Sequence, residues 1–289
     1  MSVIETIQKR VSIRTFTTQT VTNEVKAKMR DAFLECGPGP FGNKVRFEFV
    51  EATENEKQEL KELGTYGIIK GSQLFIAGAV EQNQRAMEDF GYCMEKIILK
   101  ATELGLGTCW LGGALNRSTF AKKINAAENE LIPAITPLGY PADKRSMTDS
   151  LVRAFVGSKK RKSFEELFFY GDLKTPLEKS ACGPYAIPLE CVRLAPSAAN
   201  KQPWRVIQEK DQLSFHFYLK ENPFYNQNKL LKDIHIQNLD IGIALCHFEL
   251  AAKELSLKGV WQVRASACAN SPQLEATDWQ YIVSWTGSN

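Results

Sequence analysis

"DFGYCMEKIILKATELGLGTCW" (Asp89–Trp110) returns 151 residues later as "DIGIALCHFELAAKELSLKGVW" (Asp240–Trp261). The two align without a gap, and eight of 22 positions are identical: Asp, Gly, Leu, Ala, Glu, Leu, Leu and Trp. Amphipathic helices share pattern for physical reasons, so the identities alone only suggest a duplication. The flanking order strengthens it. Asn43-Lys44 precedes Phe47 as Asn200-Lys201 precedes Trp204, and the strand ending at Gly139 is matched by "YIVSWTG" near the end. A period this long indicates a doubled domain rather than a solenoid. Two equivalent halves are expected to pack about a pseudo-two-fold axis, as the subunits of a dimer do.

Around this repeat the hydrophobic spacing gives the elements. "SVIETIQKR" and "NEVKAKMRDAFLEC" have helical period, the second with Val25, Met29, Ala32 and Phe33 on one face. "VRFEFVEA" alternates as a strand, and "QLFIAGAV" is a short buried strand. A long helix is expected from about Gln84 to Leu104, with Met87, Phe90, Met94, Ile97, Ile98 and Ala101 inward. "LIPAITPLGYP" is a strand closed by Pro and Gly. The strands are not spaced as regular βαβ units, so the class is α+β. The expected division is residues 1–162 and 163–289, joined through 163–180.

Composition excludes several functions. A net charge of +3 is too small to mark nucleic acid or an acidic membrane as the main partner. No apolar run approaches a membrane span, and the N-terminus has no signal-peptide core, which places the expected location in the cytoplasm. Seven scattered cysteines with no CxxC argue against a disulfide framework and a zinc site. His216, His235 and His247 have no metal-ligand spacing and read as ordinary surface or half-buried residues.

"KRVSIRTF" puts Arg10, Ser12 and Arg14 at alternate positions, hence on one face if extended. Two guanidiniums and a hydroxyl can cradle an anion, or can simply line a solvated strand. "SKKRK" (Ser158–Lys162) is a basic run that could complete a dianion site. "GLGTCWLGG" (Gly105–Gly113) is not a dinucleotide fingerprint, because Trp110 stands where GxGxxG needs Gly and the segment follows a helix. It reads as a helix end at Gly105, then a turn whose backbone at Leu111, Gly112 and Gly113 can approach a flat ligand. Cys109 has no base placed with it and reads as packing. In "LAPSAANKQPW", Pro196 ends a helix and Trp204 anchors the next strand. Between them, Pro196, Ser197, Ala198 and Asn200 offer binding groups without an acid, base or nucleophile.

Together these segments resemble the FMN-dependent nitroreductase family. The RxSxRxF pattern is matched by Arg10, Ser12, Arg14 and Phe16, and APSxxNxQPW by Ala195 to Trp204. GLGxxWxGG is matched by Gly105–Gly113, LGYP by Leu138–Pro141, and the basic segment by Lys159, Arg161 and Lys162. The arrangement is similar to a subgroup with two nitroreductase-like halves fused in tandem. The resemblance implies an intramolecular pseudo-dimer, acting as a monomer, with its flavin between the halves. Arg10, Ser12, Lys159 and Arg161 would hold the phosphate. Arg14 would lie near the pyrimidine edge, and the Leu111–Gly113 backbone would face the flavin N5. Pro196, Ser197, Ala198 and Asn200 would come from the other half. Only the first half carries RxSxR and a basic segment after its last strand, and only the second carries the PSxxN loop. One FMN per chain is therefore expected. NAD(P)H would be the reductant and an electron-poor small molecule, nitroaromatic or quinone, the acceptor, with no catalytic side chain and no metal. Two readings stay open beside it: an FMN protein that senses or stores flavin or does other flavin chemistry, and a cofactor-free interaction domain.

Overall fold

The computed structural model describes residues 1–51, 69–112, 117–143, 160–220, 234–264 and 279–288. The first half contains α1 (Val3–Lys9), α2 (Asn23–Glu35), β1 (Val45–Glu51), β2 (Leu74–Glu81), α3 (Ala86–Glu103), β3 (Gly107–Thr108), α4 (Arg117–Lys123), β4 (Glu130–Leu131) and β5 (Ile135–Gly139). The second contains α5 (Phe164–Leu167), β6 (Phe168–Tyr170), α6 (Ala186–Leu194), β7 (Trp204–Gln208), β8 (Ser214–Lys220), α7 (Ile236–Glu254), β9 (Gly259–Gln262) and β10 (Trp279–Gly287). The α+β expectation holds. No helix among the described residues is long and apolar enough to cross a membrane.

Each half builds a five-stranded sheet. The first runs β1-β2-β5-β3 with β4 beside β2, and the second runs β6-β7-β8-β10-β9. The run β7-β8-β10-β9 repeats the order β1-β2-β5-β3 strand for strand, with antiparallel pairing throughout. The exception is β6, which follows the first half's basic segment and joins the second sheet parallel to β7. It lies within the segment read as a connector.

Helices α3 and α7, which carry the repeat, pack against one another between the sheets. Their contact is reciprocal. A Cβ on Gly91 would press on the Leu239 backbone, 2.9 Å from its carbonyl carbon. A Cβ on Gly242 would press on the Glu88 backbone, 2.8 Å from its carbonyl carbon. Each glycine is the other's partner at the repeat offset, and each lets two backbones meet where any side chain would hold them apart.

The helix boundaries have local causes. Arg85 is left-handed (φ 61°), so α3 begins two residues later than its periodicity indicates. It ends as expected: Gly105 takes φ 77°, and the N–H groups of Gly105 and Leu106 cap Thr102 and Ala101. Helix α1 is opened by a capping box between Ser2 and Glu5. The inward residues of α3 read from spacing are all buried, and so are Glu88, Asp89 and Glu95 on the same helix.

Candidate functional site

The chain leaves α1 at Arg10, whose N–H still donates to the Thr6 carbonyl. It then runs extended along the first sheet. Ser12 bridges Thr108, Ile13 N–H donates to the Thr108 carbonyl at 2.7 Å, and Phe16 N–H to Lys70 at 2.8 Å. Ile13 packs flat on Gly107, where a Cβ would lie 2.8 Å away, and Phe16 packs on Gly139. That fixes which side chains point inward. Arg10, Ser12 and Arg14 all line a cavity of about 390 Å³.

The second half supplies the loop after α6. Pro196, Ser197, Ala198, Ala199 and Asn200 line the same cavity. Ala199, Asn200 and Gln202 are all left-handed (φ 45°, 55° and 48°). For residues with a Cβ this conformation is costly, roughly 1–2 kcal/mol each, so the loop must be held. Ser197 Oγ accepts from Gln202 N–H at 2.8 Å, and Asp240 Oδ1 accepts from Ala198 N–H at 2.9 Å.

Arg161 completes the clamp. Its guanidinium donates to the Leu194 and Ala195 carbonyls, both at 2.9 Å, and to Asn200 Oδ1 at 2.7 Å. It thereby caps the C-terminal end of α6, where the helix dipole favours a cation. Asn200 in turn donates from Nδ2 to the Lys160 carbonyl at 2.8 Å. Burial, then the charges of Arg10 and Arg193, lower the Arg161 pKa to about 10, and Glu95 offsets this only partly. The cavity thus gathers three guanidiniums, those of Arg10, Arg14 and Arg161.

Behind the lining lies a buried network that joins the halves. Glu95 on α3 is inaccessible to solvent. It accepts from Trp110 Nε1 at 2.7 Å, contacts His247 Nε2 of α7 at 2.9 Å, and lies 3.6 Å from Arg10 Nε. His247 Nδ1 is 2.9 Å from the Cys191 carbonyl, which can only accept, so Nδ1 carries a proton. His247 is fully buried and His216 nearly so. This corrects the expectation of surface or half-buried histidines. The reason is that each has polar partners inside, Cys191 and Glu95 for one, Ser284 and Glu209 for the other.

Asp240 and Asp89 occupy matching repeat positions and hold matching loops. Asp89 accepts from Phe41 N–H, Asn43 N–H and Asn43 Nδ2, so both its oxygens are used. Asp240 holds only Ala198, and its buried Oδ2 has no partner. Burial pushes the Asp240 carboxyl well above the usual range, and raises Asp89 against its three hydrogen bonds.

The surroundings of Asp89 also differ. Where Ile236 and Ile243 line the cavity, the matching positions carry Arg85 and Tyr92. Arg85 lies over the Phe41 ring at 5.7 Å, and the Tyr92 hydroxyl donates to Glu249 at 2.8 Å. Gly39 abuts Asp89, where a Cβ would lie 2.6 Å from the Asp89 Cβ. A cation and a hydroxyl thus stand where the cavity has two isoleucines.

Of the residues expected at the site, Arg10, Ser12, Arg14, Gly112, Arg161, Pro196, Ser197, Ala198 and Asn200 line one cavity. Leu111 is adjacent but turned away. Its side chain packs with the Phe75–Phe120 cluster, and its N–H and C=O pair with Ile135 at 3.0 and 2.9 Å. Gly113 and Lys159 lie outside the described residues. Sequence reasoning missed Trp110, Asp240 and the apolar wall of Ala134, Ile236, Leu239 and Ile243. It also missed Glu95 and His247. Asp240 carried a usable signal, since it is the first identity of the repeat.

The lining suits a ligand with an anionic group and an apolar body. Guanidiniums and a hydroxyl offer forked donors to a phosphate, while Trp110 and the isoleucines offer flat apolar contact. A family model described as "Putative TM nitroreductase" matches residues 2–252. A "Putative NADH dehydrogenase/NAD(P)H nitroreductase" of Methanothermobacter thermautotrophicus is 27% identical over 158 residues, 52% of this chain and 82% of that protein. The crystal structure of a "putative nitroreductase" from Thermotoga maritima superposes with a TM-score of 0.60 at 19% identity, a likeness of fold that covers 99% of this chain and 94% of that one. A nitroreductase with bound FMN from Desulfitobacterium hafniense matches at 20% identity and a TM-score of 0.43, over 50% of this chain and 92% of that one.

Proposed function

The chain belongs to the TM nitroreductase family, and from this premise we propose that it is an FMN-dependent oxidoreductase carrying hydride from NAD(P)H to an electron-poor small molecule of nitroaromatic or quinone type. Bound FMN would supply the hydride chemistry. The observation that carries the reading is that Arg10, Ser12 and Arg161 line one cavity with the 196–200 loop. Arg161 is half-buried near Arg10, which itself lies 3.6 Å from Glu95, and this grouping of guanidiniums suits a phosphate.

Arg10, Ser12 and Arg161 hold the phosphate in this reading, a role the family resemblance extends to Lys159, and Arg14 serves the pyrimidine edge. The 196–200 loop and Gly112 bound the pocket, and the apolar wall of α7 excludes water. Glu95 orients Arg10 and Trp110 without touching the ligand. No side chain need act as an acid or base.

We treat the two halves as an intramolecular pseudo-dimer with one FMN per chain. The repeated strand order and the reciprocal glycines support the first part. The change of lining at the counterpart place, where Arg85 and Tyr92 stand for Ile236 and Ile243, supports the second. The test is the visible spectrum of the purified protein, flavin released per chain on denaturation, and NAD(P)H oxidation with a nitroaromatic or quinone. One FMN per chain with steady turnover is expected. Two per chain would overturn the single-site scheme, and a chain that binds no added FMN would overturn the cofactor assignment.

A further inference from the structure

Two cysteines away from this cavity form a pair. Cys36 follows the last turn of α2, and Cys93 lies in the second turn of α3. The Cys36 Sγ lies 3.8 Å from the Cys93 carbonyl, and the Cys93 Sγ lies 3.8 Å from the Gly37 carbonyl. Each sulfur thus sits against the backbone at or next to the other residue, which brings the two thiols side by side. Gly37 makes this possible by turning the chain with φ 66°.

The two thiols are not equivalent in access. Cys36 forms part of the wall of a second cavity, about 400 Å³, with Lys28, Glu35, Lys96 and Lys100. Cys93 lies behind it, fully buried. Lys96 Nζ donates to the Cys36 carbonyl at 2.6 Å, which keeps an ammonium beside the front sulfur.

We propose that Cys36 and Cys93 are an oxidisable dithiol that closes to a reversible disulfide on exposure to a hydroperoxide, with Cys36 the attacking sulfur and Cys93 the resolving one. The geometry assigns the order, because Cys36, 4% exposed, lines the second cavity while Cys93 is fully enclosed behind it. The Cys36 thiolate attacks one peroxide oxygen and the O–O bond breaks. Cys36 becomes a sulfenic acid, and an alcohol or water leaves with the proton. The Cys93 sulfur then attacks the Cys36 sulfur, the S–O bond breaks, and water leaves as the disulfide forms. The two thiols lose two electrons and the peroxide gains them. The neighbouring Cys93 and the Lys96 charge lower the Cys36 thiol from its usual range, and the pairing with burial raises Cys93.

The test uses the full chain. It is treated with hydrogen peroxide, alkylated under denaturing conditions, digested, and read by mass spectrometry. A peptide linking Cys36 to Cys93, two hydrogens lighter than the reduced pair and lost on treatment with dithiothreitol, is expected at up to one link per chain. In Cys93→Ser, dimedone should label Cys36 as the sulfenic acid. If peroxide leaves both thiols of the wild-type chain alkylatable, or carries Cys36 to sulfinic acid without the link, the proposal is overturned. A link from Cys36 to Cys246 instead would also overturn it. The wild-type link decides the matter, so a misfolded variant does not obscure the result. It is independent of the flavin reading.

Discussion

A methyl group on Gly242 should loosen the molecule at the contact on which the cavity depends. In Gly242→Ala the new carbon would lie 2.8 Å from the Glu88 carbonyl carbon, 2.9 Å from Tyr92 N, and closer still to the Glu88 oxygen. Ordinary carbon contact begins at about 3.5 Å. The helices α3 and α7 must therefore part by about 0.7 Å along that line, and by more to clear the oxygen. All the opposing atoms are backbone, so no rotamer change relieves the strain. Overpacking of this kind costs about 1–3 kcal/mol, and a backbone clash belongs at the top of that range. Alanine's helix propensity offsets about 1 kcal/mol. The net loss should be about 2 kcal/mol, or on the order of 4–8 °C in melting temperature for a chain of this size. Leu239 and Asp240 precede the contact on α7 and line the cavity, so flavin affinity should fall as well. Gly91→Ala should behave alike, and the double variant should lose less than the sum, since one separation relieves both clashes. Thermal denaturation by circular dichroism and flavin-fluorescence titration measure the two effects. A Gly242→Ala chain as stable as the wild type would refute the reasoning, because propensity would then be acting without a clash.

The other predictions concern the cavity lining. Arg161→Ala removes three charge-assisted hydrogen bonds, to Leu194, Ala195 and Asn200, and should weaken FMN binding by on the order of 10–100-fold; Arg161→Lys should not restore it, because an ammonium cannot reproduce the guanidinium fork. Gly112→Ala should leave the melting temperature unchanged within about 1 °C, since the new carbon meets only Pro133 O at 3.5 Å and Ala134 Cβ at 3.6 Å, yet equilibrium titration should show weaker flavin binding in the narrowed cavity. Asp240→Asn should be more stable than wild type at pH 7. The Asp240 pKa is raised above its ordinary 3.8, so its contribution to stability is greatest at low pH and falls as pH rises above that value. Melting curves from pH 4 to 7 should therefore show the gap between variant and wild type widening with pH, and a constant gap would count against a buried neutral acid.

What could be read from the chain divides by range. Alternation alone placed Arg10, Ser12 and Arg14 on one face, because an extended segment has a two-residue period whatever surrounds it. The 196–200 loop was legible because Pro196 must end a helix and the small residues after it form no other element. The repeat identified α3 and α7, and Gly91 and Gly242 were among its identities, although only packing shows that they meet. Glu95 and His247 were not legible. Each falls on a helix buried nearly all round, where a charge on the apolar stripe looks like an exception until its partner on the other helix is known. Leu111 was adjacent to the site by sequence, but strand pairing with Ile135 decides which way its side chain turns.

The passage from Arg161 through α5 to β6 ties the two walls of the cavity into a single polypeptide. Walls contributed by separate molecules would come apart on dilution, and cofactor retention would then depend on how much protein is present. Here the tether sets a fixed effective concentration of one wall for the other, so the dissociation constant for a cofactor should not change with protein concentration. It also frees the halves from copying each other. In a symmetric assembly every substitution appears in both sites at once, whereas Ile243 and Tyr92 stand at matching positions on α7 and α3 and could diverge, one bordering the cavity and the other hydrogen-bonding Glu249.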